Sequence, residues 1–317
     1  MASQIHQAWQ AQSSSLAQRP WSAALLTAPA GLGLGEFAVS LAAGLLCQSP
    51  QGPDRHLACG ACQSCLWAAE GQHPDLRWVR PAALEGAEEE QGSEEEGSEP
   101  KDKKLSREIR VDQIRELTSF SQLSSHRGGL RIAVIGPVET LNFVSANALL
   151  KGLEEPAKGM RYLLFGERLQ GVPATILSRC RRLALAAPQS AVSEARRAQP
   201  ENPSEWLLPL LAQGRLDPLA WAERAGKSPV RPVLEWLSLW LLDLQRLQTG
   251  LEPVSFGDQA GSLGRQLRWL QAQPHSARIL AEAQSRLQSV LGHADHPLNP
   301  RLRYENLFFS LQDVFPS

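Results

Sequence analysis

Residues 131–180, RIAVIGPVETLNFVSANALLKGLEEPAKGMRYLLFGERLQGVPATILSRC, decide the fold. Ile132–Ile135 and Tyr162–Phe165 are apolar runs without polar alternation, the pattern of strands buried on both faces of a parallel sheet. Between them Leu141, Val144, Ala148, Leu149 and Leu153 recur at helical spacing, and Pro156 marks the stop. After a further short apolar run the stretch closes on Ser178-Arg179-Cys180. Strand, helix, strand and then an exposed Arg is a layout suited to handling phosphate.

Upstream, Ala23–Thr27 (AALLT) predicts a strand, Ala28–Gly35 a Gly-rich turn, and Glu36–Cys47 a helix with Phe37, Leu41, Leu45 and Leu46 on its apolar side. That order opens a nucleotide-binding α/β unit. A polar helix and connector over 5–21 precedes it. Leu76–Val79 predicts another strand, residues 110–121 (RVDQIRELTSFS) an amphipathic helix, and Arg181–Leu185 a last strand. Beyond Pro188 the strand pattern stops. Residues 189–227 fit a small helical unit and 229–317 a larger bundle. Its most apolar helix, Val233–Leu247, is hydrophobic nearly all round and belongs either in its own core or in a subunit interface.

The chain has 317 residues, 43% of them hydrophobic, enough for two or three domains with cores. Its net charge of −1 conceals an asymmetry: residues 85–104 (EGAEEEQGSEEEGSEPKDKK) are strongly acidic and the remainder is mildly basic. This low-complexity tract cannot bury a core and is expected as a disordered surface loop inside the first domain. The N-terminus, MASQIHQAWQAQSSS, lacks the basic and apolar regions of an export signal. No apolar run approaches the ~20 residues that cross a bilayer, so a cytoplasmic protein without a membrane partner is expected. A reducing compartment favours metal binding or free thiols for the five cysteines.

Cys47, Cys59, Cys62 and Cys65 stand in the frame C-x11-C-x2-C-x2-C. Four thiolates so spaced can surround a tetrahedral Zn²⁺ in a closed, structural site. The competing reading is an iron–sulfur cluster, which the C-x2-C-x2-C run also suits. His56 lies inside the frame but is not needed as a ligand. Cys180 is isolated and reads as a small buried residue.

The Gly-rich turn, Ala28-Pro29-Ala30-Gly31-Leu32-Gly33-Leu34-Gly35-Glu36, has the shape of a phosphate-binding loop without its chemistry. A working loop ends in Gly-Lys-Ser/Thr, the Lys facing the phosphates and the hydroxyl holding Mg²⁺. Here Gly31 and Gly33 keep the turn, but Leu34 takes the Lys position, Gly35 the hydroxyl position, and Glu36 adds negative charge. The strand Ile132–Ile135 is followed by Gly136-Pro137 where an ATPase would carry an acidic pair. Two independent losses predict that no ATP binds in this site.

With these residues the sequence resembles the clamp-loader branch of the AAA+ family, as found in the bacterial DNA polymerase III holoenzyme. The resemblance rests on APAGLGLGE, the four-cysteine insertion, GQHPDL (71–76), VDQIREL (111–117), SANALLKGLEEP (145–156) and TILSRC (175–180), with a late NPRLRYENLF (299–308). It covers most of 20–185. It implies a RecA-like AAA+ α/β domain over 1–187 carrying the zinc insertion at 47–65, a small helical lid at 188–228, and an all-α collar at 229–317 through which subunits oligomerise. It implies a stator role: an ATP-incompetent subunit that works with gamma/tau and delta subunits to place the β sliding clamp on primer-template DNA. Arg179 would then be an arginine finger acting in trans on a neighbour's ATP. Gly166 stands where active AAA+ members often place a polar sensor.

Two other function classes fit these residues less well. An active AAA+ ATPase is opposed by Leu34, Gly35, Gly136 and Pro137. A stand-alone zinc-dependent DNA-binding protein would need basic and aromatic residues around the cysteines, and residues 47–65 carry only Arg55.

Overall fold

The structure is a computed structural model describing residues 2–18, 20–52, 55–84, 106–126, 129–188, 191–192, 195, 202–213, 216–226, 228–291 and 299–315. The acidic tract at 85–104 lies outside the described residues. The chain divides into two compact units, Met1–Val192 and Ser193–Ser317.

In the first unit the expected strands form one parallel sheet. They are β1 (Ala23–Thr27), β2 (Leu76–Val79), β3 (Arg131–Ile135), β4 (Met160–Gly166) and β5 (Arg181–Ala184), in the order β2-β3-β4-β1-β5. β1 sits between β4 and β5, with Ala23 opposite Tyr162 and Thr27 opposite Gly166. All five residues of β3 are buried, which is why no polar alternation marks it in sequence. β5, at an edge, alternates instead between exposed and half-buried positions.

The helices around the sheet include α1 (Ala2–Gln18), α2 (Leu34–Leu46), α3 (Gln63–Ala69), α4 (Val111–Gln122), α5 (Phe143–Glu154) and α6 (Ala174–Leu177), with α1 and α3 packed on α2. Ile114, Leu117 and Phe120 of α4 join Ala146, Leu149 and Leu153 of α5 over Leu25, Ala133, Ile135, Tyr162 and Leu164 of the sheet. α5 starts at Phe143, two residues after the first apolar position of the sequence pattern. Asn142 caps it, its side chain accepting from the Ser145 N–H at 2.9 Å. Leu141 therefore lies outside the helix, and Val144, expected on the apolar face, is 59% exposed. α2 likewise begins earlier than expected, at Leu34, because Gly33 turns the chain in the left-handed region (φ 75°). α3 gave no periodic signal, since seven residues are too few to show one. Cys180 is buried, as expected.

Helices, and no strands, make up the regular structure among the described residues of the second unit: α7 (Ser204–Gln213), α8 (Pro218–Ala225), α9 (Val230–Gln248), α10 (Ala260–Gln271), α11 (Ser276–Leu291) and α12 (Pro300–Ser310). One continuous apolar cluster joins them, from Leu207 to Phe315. α9, the apolar helix of the sequence, buries Val233, Trp236, Leu237, Trp240, Leu241 and Leu244 in that cluster. Trp236 stacks on Trp240 with ring centroids 5.3 Å apart. The fully buried Asp243 accepts three backbone N–H bonds, from Val254, Ser255 and Phe256 at 2.8–2.9 Å, and so fixes the chain after α9. None of the helices is long and apolar enough, among the described residues, to cross a membrane.

Candidate functional site

Three places in the first unit carry chemistry. At the first, the four cysteines named from spacing come together, all their sulfurs within 4.8 Å of one another. Cys47 caps the C-terminus of α2, and Cys62 caps the N-terminus of α3, which also supplies Cys65. The Cys47–Cys62 and Cys59–Cys65 Sγ separations are 3.8 and 3.9 Å. A tetrahedron with Zn–S near ~2.3 Å has edges of about 3.8 Å, so the sulfurs fit a single ion. A multi-iron cluster would need them further apart. Backbone N–H groups of Cys59 and Cys62 point at the sulfurs of Cys47 and Cys59, at 3.4 and 3.3 Å. Burial opposes ionisation of Cys62, yet the backbone N–H groups of Gln48 and Cys65 and the neighbouring thiols bring it down to about 6. Burial pushes Cys65 up to about 12. A cation among the sulfurs removes that conflict by favouring every thiolate at once. The His56 ring faces the Gln10 carbonyl at 3.1 Å and is not part of the cluster.

The GQHPDL motif anchors this metal module. His73 Nδ1 accepts from the Asp75 N–H at 3.0 Å, which leaves its Nε2–H to donate to Ser64 Oγ at 2.8 Å. Ser64 in turn donates to the Leu46 carbonyl at 2.8 Å, beside Cys47. On the other side, the module's chain crosses α2 at Gly44, where a Cβ would lie 2.0 Å from the His56 carbonyl oxygen. Only glycine permits that approach.

The second place is the Gly-rich loop after β1, at the carboxyl edge of the sheet, where open α/β folds bind ligands. Gly31 and Gly33 adopt φ of 80° and 75°, so the turn keeps the shape expected of it. Leu34 is buried, and no cation of the turn faces it. The Gly31 N–H, a group that would cradle phosphate, donates instead to Glu167 Oε1 at 3.0 Å. Glu167 follows β4 directly. Beside it, Glu139 Oε1 accepts from the N–H groups of Glu167 and Arg168, both at 3.2 Å. Burial raises both carboxyls above their ordinary range, and for Glu167 the charges of Glu139 and Glu36 add to it. Gly166 makes room for this arrangement, since a Cβ there would meet Glu139 Oε2 at 2.7 Å. The sequence reading missed Glu139 and Glu167. The available signal was an acid just past the end of each of two buried strands.

Arg179 is the third. It lies apart from the loop, between α6 and β5, with Nη2 paired to Glu154 and Nη1 donating to the Thr175 carbonyl at 2.9 Å.

With this geometry in view, the comparisons are specific. The family described as "DNA polymerase III, delta subunit" matches residues 3–189, more than half of the chain. The chain belongs to the delta-prime subunit family of DNA polymerase III. It is 37% identical over 209 residues to the delta-prime subunit of Pseudomonas aeruginosa, covering 65% of this chain and 56% of that protein. It is 28% identical over 310 residues to the delta-prime subunit of Yersinia pestis, covering 85% of this chain and 84% of that protein. A crystal structure of a gamma subunit-related protein from Thermotoga maritima aligns over 94% of this chain and 97% of that one. That alignment has 16% identity and a TM-score of 0.35, too loose to bear on the fold. The delta-prime assignment agrees with a parallel α/β unit carrying a four-cysteine cluster and followed by helices.

Proposed function

We propose that this chain is the ATP-incompetent stator of a bacterial clamp loader, assembling in the cytoplasm with gamma/tau and delta subunits to place the β sliding clamp on primed DNA. The observation that carries the ATP-incompetent part is the Gly31 N–H bonded to Glu167. A carboxylate of the same chain takes the donor that phosphate would need, while Leu34 supplies no charge to attract it and Glu36 and Glu139 repel it. In this reading Gly31, Gly33, Leu34 and Gly35 are the remains of a nucleotide loop.

Arg179 serves in trans. It stands outside the retired loop and ends in a half-exposed guanidinium, the state suited to meeting a neighbour's γ-phosphate. Cys47, Cys59, Cys62 and Cys65 hold a structural Zn²⁺, which supplies cross-linking and no open coordination position. Residues 188–228 act as the lid and 229–317 as the collar that meets the other subunits.

Two measurements test this. Calorimetry of the isolated chain with Mg-ATP at millimolar concentration should give no binding, and saturable heat would reject the ATP-incompetent reading. In a loader reconstituted with gamma/tau and delta subunits, Arg179→Ala should leave assembly intact on gel filtration. It should slow hydrolysis at the one site it serves by ~10³-fold, the low end for an arginine finger. An unchanged ATPase rate would reject the finger.

A further inference from the structure

We infer that Glu154 is a positioning residue for Arg179, holding its guanidinium in a neutralised pose on its own subunit until a neighbour's terminal phosphate competes for it. The inference rests on the arginine-finger reading above and adds to it what the finger does when no nucleotide is present.

Arg179 contacts the end of α5 and the turn of α6. Nη2 pairs with Glu154 Oε1, and Nη1 reaches the Thr175 carbonyl at 2.9 Å and Ser178 Oγ at 3.4 Å. Glu154 is the last residue of α5. A carboxylate there faces the negative end of the helix dipole, an unfavourable place for it without a partner cation. Arg179 supplies that cation from the turn after α6. The pair thus joins the end of the SANALLKGLEEP helix to the Ser-Arg-Cys turn.

Strength decides what such a pair can do. The two side chains are 34% and 47% exposed, so water screens the attraction and the pair exchanges readily. A γ-phosphate presents more charge and three acceptor oxygens, and it takes the guanidinium from a half-solvated carboxylate. A nucleoside diphosphate offers no group at that position, and Arg179 stays with Glu154. The carboxylate therefore competes with ATP for the finger, and its negative charge also opposes the approach of the phosphate itself.

The test uses full-length chains in the reconstituted loader, with Glu154→Gln, Glu154→Asp and Arg179→Ala compared for KM and kcat of ATP hydrolysis. Glu154→Gln keeps the shape and removes the charge. It should lower the KM for ATP about two- to five-fold, the range that an exposed ion pair supports, with kcat unchanged. Glu154→Asp, which restores the charge, should return KM towards the wild-type value. A merely structural role for Glu154 would alter the melting temperature and not this KM-against-kcat split. If Arg179→Ala slows hydrolysis while Glu154→Gln leaves KM unchanged or lowers kcat, the positioning role is wrong and the finger stands. If Arg179→Ala has no effect, the finger reading fails and the role of Glu154 fails with it.

Discussion

The cysteine cluster and the Gly-rich loop both gather groups that repel one another when ionised, and they settle the problem differently. Four sulfurs lie within 4.8 Å, with two backbone N–H groups aimed at them. Neutralising four thiolates takes a cation from outside the chain. In the loop, Glu139 and Glu167 converge on N–H groups of the chain itself, those of Gly31, Glu167 and Arg168. There the protein supplies the anion, and the Gly31 N–H, a loop donor of the kind that elsewhere receives phosphate, is engaged by it. On the proposed reading one site is completed by a ligand and the other is closed to one, at the cost of burying carboxyls whose ionisation the surroundings resist.

The largest expected effect follows from removing the ion. Structural Zn²⁺ contributes ~10–16 kcal/mol of apparent binding energy in small modules at neutral pH. Transfer of even ~3 kcal/mol of that to the first unit corresponds to roughly 6–12 °C in melting temperature. Chelation of the purified protein should therefore lower its melting temperature by at least that much, and one equivalent of Zn²⁺ should restore it. A melt insensitive to chelator, in a preparation shown to have lost its metal, would make the two sites alike and end the contrast.

A smaller effect is expected at Gly44. The Cβ of Gly44→Ala would stand 2.0 Å from the His56 carbonyl oxygen and 3.1 Å from the Ala58 nitrogen, so the segment leading to Cys59 must shift. Overpacking of this kind costs about 1–3 kcal/mol. Because the strain falls on a ligand-bearing segment, the variant should also bind Zn²⁺ more weakly, as read by competition with a colorimetric chelator. A destabilised variant with unchanged metal affinity would show that the module's attachment to α2 and its metal geometry are independent.

Much of this was legible before the structure. Ile132–Ile135 reads as a strand because its burial writes itself into contiguous apolar residues, whereas Leu76–Val79 is buried only at its two ends and exposes Arg77 between them. The four cysteines read as one site because thiol spacing is a direct constraint on ligand geometry. Helix starts were less legible. Asn142 and Gly33 begin their helices through a side-chain cap and a left-handed turn, which hydrophobic periodicity does not register. Val144 shows the same limit, since it has the spacing of the core face and points to solvent. The partners of Gly31 were not legible at all. Glu167 is 136 positions away in sequence, and only the parallel pairing of β1 with β4 brings the two ends together. The absence of Lys at position 34 could be read, but not the carboxylate that occupies the donor.

The smallest effect separates the two sites by pH. Burial raises the carboxyls of Glu139 and Glu167 above their ordinary value of 4.5. A group whose folded-state pKa is raised binds its proton more tightly in the folded chain. Its contribution to stability is fully present below the unfolded value, is lost as pH rises through the folded one, and stays lost above it. Glu139→Gln keeps an oxygen that can accept from the N–H groups of Glu167 and Arg168 but never ionises. Measured against wild type by urea melts with the metal in place, the variant should therefore gain relative stability between pH 4 and pH 7. Charges common to both proteins cancel in the difference. A difference flat across that range would show that Glu139 is held at no electrostatic cost. The loop would then be as well satisfied by its own carboxylates as the sulfurs are by their ion.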